Sequence, residues 1–169
     1  MPPSSAPPDL VRFCDEQFPR LVRMLDLLVG DVHVAEELAQ EALVRASSRW
    51  TTVRDLDAPV AWLRVVARNL ATSRWRRLQA ERRASARHGA VDDRVEPTDV
   101  ATQQHVRDAL QRLKPADREV LVLRHHLGLS VEETAAELRL TESAVKSRTA
   151  RAVMRLRVLL DDPKETADA

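Results

Sequence analysis

Glycine occurs only three times in 169 residues, at Gly30, Gly89 and Gly128. That scarcity leaves no G-x-x-x-x-G-K phosphate loop and room for few tight hairpins. Cysteine is represented by Cys14 alone, which excludes an internal disulfide and argues against a Cys-based zinc site. Tyrosine is missing, and the aromatic complement is two Phe and three Trp. A core must therefore be assembled mainly from Leu, Val and Ala, which favours an all-α fold. No apolar run approaches the roughly 18–20 residues that span a bilayer, and the start MPPSSAPPDL lacks the charged-then-apolar pattern of a secretion signal. No membrane insertion is expected, and the expected location is cytoplasmic. His33, His88 and His105 are scattered, while His125 and His126 are neighbours that face different ways on a helix, so no metal site is expected. No Ser-His-Asp grouping or acid/base pair stands out either. The chain is therefore expected not to be an enzyme and to need no cofactor.

What the chain does hold is charge, unevenly spread. The net charge is +1, but the average conceals blocks. Residues 9–60 carry ten acids against six bases, and residues 61–87 carry eight Arg against Glu81. Residues 142–160 hold five bases against Glu142. Two basic patches amid acidic stretches predict two contacts to a polyanion and one to something else. Arg supplies 24 of the 27 basic side chains, which suits planar, bidentate phosphate contacts.

Periodicity organises the chain into helices. Leu10, Phe13, Cys14, Phe18, Leu21, Leu25 and Leu28 recur at helical spacing, with Pro19 predicting a short lead-in helix or a kink. Gly30-Asp31 can end that helix and cap the next. Ala35, Leu38, Ala39, Ala42, Leu43 and Ala46 then form one apolar face. TTVRDLD (51–57) reads as irregular, with Pro59 at a first helical turn. A long helix follows from about Val60 to Ala86, with Leu63, Val66, Ala67, Leu70, Ala71 and Leu78 expected inside. Residues 88–99 lose all periodicity and read as a flexible linker. Beyond it, a helix through Val106, Ala109, Leu110 and Leu113 precedes one opened by Pro115 with Val120, Leu121 and Leu123. The expected architecture is two small helical domains, 10–87 and 100–160, between tails 1–9 (disordered) and 161–169. Each is small enough to be only marginally stable alone.

SVEETAAELRLTESAVKSRTARAVMRL (130–156) is the most informative stretch. Ser130 and Glu133 form an S-x-x-E capping box. Ala135 is small, as required where two helices cross closely, and Leu138, Leu140 and Val145 would fix their angle. Thr141 suits the N-cap of a second helix, 142–157, on which Val145, Thr149, Ala152, Leu156 and Leu159 face inward. Ser143, Lys146, Ser147, Ala150 and Arg151 then point outward, as on a recognition helix entering a major groove. Lys146 and Arg151 can donate to guanine edges or phosphates, Ser147 to either, and Ala150 can pack on a thymine methyl. Arg139 stands at the turn where Gly is usual and must accept a left-handed or distorted backbone. Thr134 stands where a larger apolar residue is expected.

At this point the chain, over roughly residues 10–160, resembles the extracytoplasmic-function (ECF, group IV) sigma factors of bacterial RNA polymerase. AEELAQEAL (35–43) is similar to the family's A-E-D-L-V-Q-E-A-F. AWLRVVARNLATSRWRR (61–77) is similar to A-W-L-x-x-I-A-R-N-x-x-x-D-x-x-R-R. LKPADREVLVLRHHLGLSVEETAAELRLTESAVKSR (113–148) is similar to the block that carries the family's second DNA-binding element. The resemblance implies a region 2 helical bundle at 10–87 and a region 4 helix-turn-helix at 100–160. It implies binding of core RNA polymerase through Glu36, Glu37, Gln40 and Glu41. It further implies contact with the opened non-template strand of the −10 element through the loop 50–60, Asn69, Arg74, Arg76 and Arg77. Double-stranded promoter DNA at the −35 element would meet Ser143, Lys146, Ser147, Ala150 and Arg151. Many relatives are held by an anti-sigma partner. Trp50 and Trp62 could stack on unpaired bases but suit a core better, and Trp75 suits either. The rival reading is an ordinary helix-turn-helix transcriptional regulator with an N-terminal helical sensor or dimerisation domain. A second rival, a non-DNA-binding decoy with the same fold, rests on Arg139 and Thr134.

Overall fold

The computed structural model describes residues 6–85 and 101–161. The proposed linker 88–99 and most of both tails lie outside them. The described residues are helical with no strand among them, and the chain divides into two compact units, Met1–Ala90 and Val91–Ala169.

The first unit is built from α1 (Pro8–Val29), α2 (Val32–Ser47), the single turn α3 (Trp50–Val53) and α4 (Pro59–Ser85). α1 begins inside the stretch expected to be a disordered tail, because Pro8 serves as a first-turn proline and Asp9 has a partner. Trp50 Nε1 donates to Asp9 Oδ2 at 2.9 Å. That bond, chiefly, holds the Asp9 carboxyl below its ordinary value of 3.8, with Arg54 adding to the effect. α1 also runs unbroken through Pro19, where a separate lead-in helix was one expectation. The Pro19 ring is exposed, and buried Leu10, Leu21, Met24 and Leu25 on either side offset the roughly 3 kcal/mol an internal proline costs.

Gly30 ends α1 in the left-handed conformation (φ 79°), its N–H donating to Asp26 O at 2.7 Å. Asp31 Oδ1 accepts from Val34 N at 3.0 Å and so opens α2, as the Gly-Asp pair predicts. Ala35, Leu38, Ala39, Ala42, Leu43 and Ala46 are all buried. Four of these six are alanines, so neighbouring helices can approach closely. The segment expected to be irregular instead opens with the turn α3, locked by Trp50. Trp50 is core: it is 8% exposed, clusters with Leu10 and Val53, and its ring centroid lies 5.0 Å from that of Phe13. A buried ring cannot stack on a base, so Trp50 drops out as a DNA contact. In α4, Leu63, Ala67, Leu70 and Ala71 are buried, and Val66 is half-buried. Leu78 is not inside but exposed, as is Trp75. From Trp75 to Glu81 no residue of α4 is buried, so this part of the helix stands clear of α1 and α2.

The second unit contains α5 (Ala101–Arg112), α6 (Pro115–Leu121), a wide turn Val122–His126, α7 (Val131–Leu138) and α8 (Glu142–Asp161). The helix expected to end at 157 runs on to Asp161, and Asp161 therefore belongs to α8 rather than to the tail. Ala109, Leu110, Leu113, Val120, Leu121, Leu123, Val145 and Ala152 form its core, while Val106 lies exposed. Leu127 N donates to Val122 O at 3.0 Å, an i→i+5 bond that widens the end of α6 into a π-turn. Gly128 follows at φ 68°, a conformation open to glycine at no steric cost.

Two charged groups sit inside this core. Arg118 is 6% exposed. Its Nε donates to Leu110 O (2.9 Å) and its Nη2 to Gln111 O (2.9 Å) and Leu113 O (3.2 Å). They lie at the end of α5, where helix carbonyls run short of N–H donors, and Leu110 O also accepts from Leu113 N at 3.1 Å. Burial lowers the guanidinium to about 10, still cationic at neutral pH. Asp117 is also buried, and it pairs with Arg155 Nη1, tying α6 to α8.

Candidate nucleic-acid and polymerase interfaces

The helix-turn-helix forms as its residues predict. Ser130 Oγ accepts from Glu133 N at 3.0 Å and Glu133 Oε2 accepts from Ser130 N at 2.6 Å, a complete capping box. α7 ends at Arg139 in the left-handed conformation (φ 54°, ψ 47°). Arg139 N donates to Ala136 O at 3.3 Å and Leu140 N to Ala135 O at 2.9 Å. These are the paired bonds of a Schellman ending, with Arg where Gly is usual. The substitution therefore strains the turn without abolishing it. Thr141 Oγ1 caps α8 by accepting from Ala144 N at 3.1 Å.

α8 is anchored on one side and open on the other. Val145 and Ala152 are fully buried, and Thr149, Leu156 and Leu159 are partly so. Ser143, Lys146, Ser147, Ala150 and Arg151 are all exposed. The orientation is fixed from two further points: the Asp117–Arg155 pair and His105 Nε2, 3.1 Å from Leu160 O. Lys146 Nζ lies 3.7 Å from Glu142 Oε2, a solvent-exposed pair that a phosphate can displace at little cost. Thr134, by contrast, is fully buried and its Oγ1 has no hydrogen-bond partner.

In the first unit, Glu37, Gln40 and Glu41 are exposed on α2, and Glu36 is half-exposed at the border of that face. Their partners were not foreseen. Glu37 Oε2 lies 4.0 Å from Arg74 Nη1 on α4, and Glu41 Oε1 accepts from Arg45 Nη2 at 2.6 Å. The three candidate strand-binding arginines of α4, Arg74, Arg76 and Arg77, accordingly do not share one surface. Arg74 is partly buried and turns to α2, while Arg76 and Arg77 are exposed, with Arg77 Nε 3.7 Å from Glu81 Oε1. Asn69 and Arg76, seven residues apart, lie on the same side of α4.

Asn69 borders a cleft of about 260 Å³ together with Arg45, Ser48, Arg49, Trp62 and Val66. The other polar residues of the cleft thus come from the end of α2 and the entry to α3, and none of residues 50–60 lines it. Arg45, Ser48 and Arg49 escaped the sequence reading because the apolar periodicity that marks α2 says nothing of what its far end meets. Trp62 is half-buried, packed on the Leu10–Trp50–Val53 cluster, and lines the cleft. Among the described residues no group of three or more His, Cys, Asp or Glu could hold a metal ion, and no helix is long and apolar enough to cross a membrane.

Comparison with known proteins bears on both units. Residues 16–81 match the family model "Sigma-70 region 2" and residues 103–156 match "Sigma-70, region 4". The RNA polymerase sigma-E factor of Streptomyces coelicolor is 39% identical over 142 residues, 81% of this chain and 77% of that protein. The ECF RNA polymerase sigma factor SigL of Mycobacterium tuberculosis is 33% identical over 162 residues, 88% of this chain and 86% of the other. Among solved structures, the sigma factor RpoE of Bartonella quintana, in complex with the anti-sigma factor NepR, superimposes with a TM-score of 0.73. It is 26% identical, over 92% of this chain and 99% of that one. CnrH in complex with the cytosolic domain of CnrY gives a TM-score of 0.63 at 26% identity, over 90% and 87% of the two chains. The region 2 match fills the place that the rival reading gives to a sensor or dimerisation domain. The chain belongs to the ECF RNA polymerase sigma factors, transcription initiation factors that direct promoter recognition with RNA polymerase.

Proposed function

We propose a division of labour between the two units. Residues 10–87 dock on core polymerase through the acidic face of Glu36, Glu37, Gln40 and Glu41, which suits a basic partner surface. The same unit takes the opened non-template strand of the −10 element, Asn69 meeting an unpaired base and Arg74, Arg76 and Arg77 meeting phosphates. Asn is suited to that place because its amide offers a donor and an acceptor side by side. Residues 100–160 read the −35 element through Ser143, Lys146, Ser147, Ala150 and Arg151. The acidic linker 88–99 joins them. The chain supplies recognition and strand opening while nucleotide chemistry belongs to the polymerase, and it acts in the cytoplasm. An anti-sigma partner of the kind bound by the Bartonella quintana and CnrH proteins fits the same reading.

The observation that carries the proposal is the exposed face of α8, five groove-compatible side chains on a helix pinned at Val145, Ala152 and Arg155. The test is reconstitution with core polymerase and run-off transcription on a genomic fragment library. Lys146→Ala with Arg151→Ala is expected to abolish selective initiation while polymerase capture persists. Failure of the unaltered chain to be retained by core polymerase refutes the reading.

A further inference from the structure

The cleft beside Asn69 has a composition that bears on which base it accepts. Of its polar side chains, Arg45 is held by Glu41 at 2.6 Å, and Ser48 Oγ donates to Arg45 O at 2.9 Å. The Arg49 guanidinium and the Asn69 amide are exposed and have no partner among the described residues. Trp62 and Val66 supply apolar wall. In the free chain the cleft therefore offers one unengaged planar fork of N–H donors, that of Arg49, and one amide, with an aromatic surface against which a base can lie.

A guanidinium fork is satisfied by two acceptors side by side. An unpaired guanine presents such a pair at O6 and N7, and an unpaired cytosine at N3 and O2. Adenine has no adjacent acceptor pair, since its amino group lies between N1 and N7. Thymine has none either, because N3–H separates its two carbonyls. The amide adds to the same choice: Asn69 Oδ1 can accept from cytosine N4–H or guanine N1–H while Arg49 holds the neighbouring acceptors. On the reading that this unit takes an opened strand, on which this inference rests, we infer that Arg49 is a specificity-determining residue. It makes the cleft select an unpaired guanine or cytosine against adenine and thymine.

The test uses holoenzyme assembled from the full chain and core polymerase, with core polymerase alone as the blank. Fluorescence anisotropy is read with four labelled 12-nucleotide single strands: oligo(dT), and oligo(dT) carrying one central dG, dC or dA. The dG and dC strands are expected to bind roughly five- to tenfold more tightly than oligo(dT), the low end of bidentate discrimination because Arg49 is solvent-exposed. The dA strand should stay within about twofold. Arg49→Lys keeps the charge but not the fork, so it should erase the dG and dC advantage over oligo(dT). Equal binding of all four strands, or a dG and dC preference that survives Arg49→Lys, overturns the role of Arg49 and leaves the strand-binding reading standing. Binding of no strand above the core blank overturns both.

Discussion

Arg139→Gly should stabilise the second unit, and the amount follows from the turn. Arg139 is the one non-glycine residue at positive φ among the described residues, and the left-handed conformation costs an L-residue about 1–2 kcal/mol. Glycine removes that cost but brings about 0.5–1 kcal/mol of extra chain entropy to the unfolded state. The side chain is exposed and the two Schellman bonds are made by backbone N–H groups, so nothing else is lost. The balance is a gain of about 0.5–1 kcal/mol, or several degrees in Tm for a unit of this size. Arg139→Ala is the partner measurement, because it deletes the side chain but keeps the strain. Calorimetry of the full chain should show the second unit melting higher for Arg139→Gly and unchanged or lower for Arg139→Ala. An Ala variant as stable as the Gly variant refutes the argument, since the gain would then come from the lost side chain.

Two other predictions concern the same core. Arg118→Met keeps an apolar stem but removes the hydrogen bonds to three carbonyls at the end of α5, of which Leu110 O keeps a donor in Leu113 N; at roughly 1 kcal/mol for each of the other two the loss should be about 2 kcal/mol, read as a lowered urea midpoint. Thr134→Val removes a buried hydroxyl that lacks a partner and should raise the same midpoint by about 1 kcal/mol; a fall instead means that the hydroxyl is bonded through water.

The legible parts of the chain were those whose physics is local. The alanine face of α2, the Gly30–Asp31 junction, the Ser130–Glu133 box and the Thr141 cap each involve residues within a few positions of one another, and each formed as expected. The outward face of α8 followed from the inward one. What stayed hidden depends on contacts between distant residues. Trp50 meets Asp9 across 41 positions, which turns part of an expected tail into helix and part of an expected loop into α3. Leu78 carries the right period for burial, yet α4 outruns its neighbours and leaves it exposed. Arg118 had a local clue: a basic side chain in the turn after Pro115 can reach back to the end of the preceding helix. The direction of Arg74 had none, because period alone does not say which helix lies beside it.

The Arg74 contact also predicts that the chain holds single-stranded DNA less well by itself than on polymerase. In the first unit two cations of the proposed strand-binding surface are engaged by acids of the proposed polymerase-binding surface, Arg74 by Glu37 and Arg45 by Glu41. Such exposed pairs contribute about 0.2–1 kcal/mol each, so the two together withhold at most about 2 kcal/mol of phosphate binding, near thirtyfold. A basic polymerase surface that takes Glu37 and Glu41 frees both arginines, and by linkage a bound strand strengthens the hold on polymerase by the same factor. Glu37→Gln with Glu41→Gln should therefore tighten binding of single-stranded oligo(dT) to the free chain at low salt. The control is Asp15→Asn with Glu16→Gln, exposed acids on α1 that change the net charge equally. A gain no larger than the control's refutes the coupling, because the effect would then be the general field of the chain rather than the release of two named side chains.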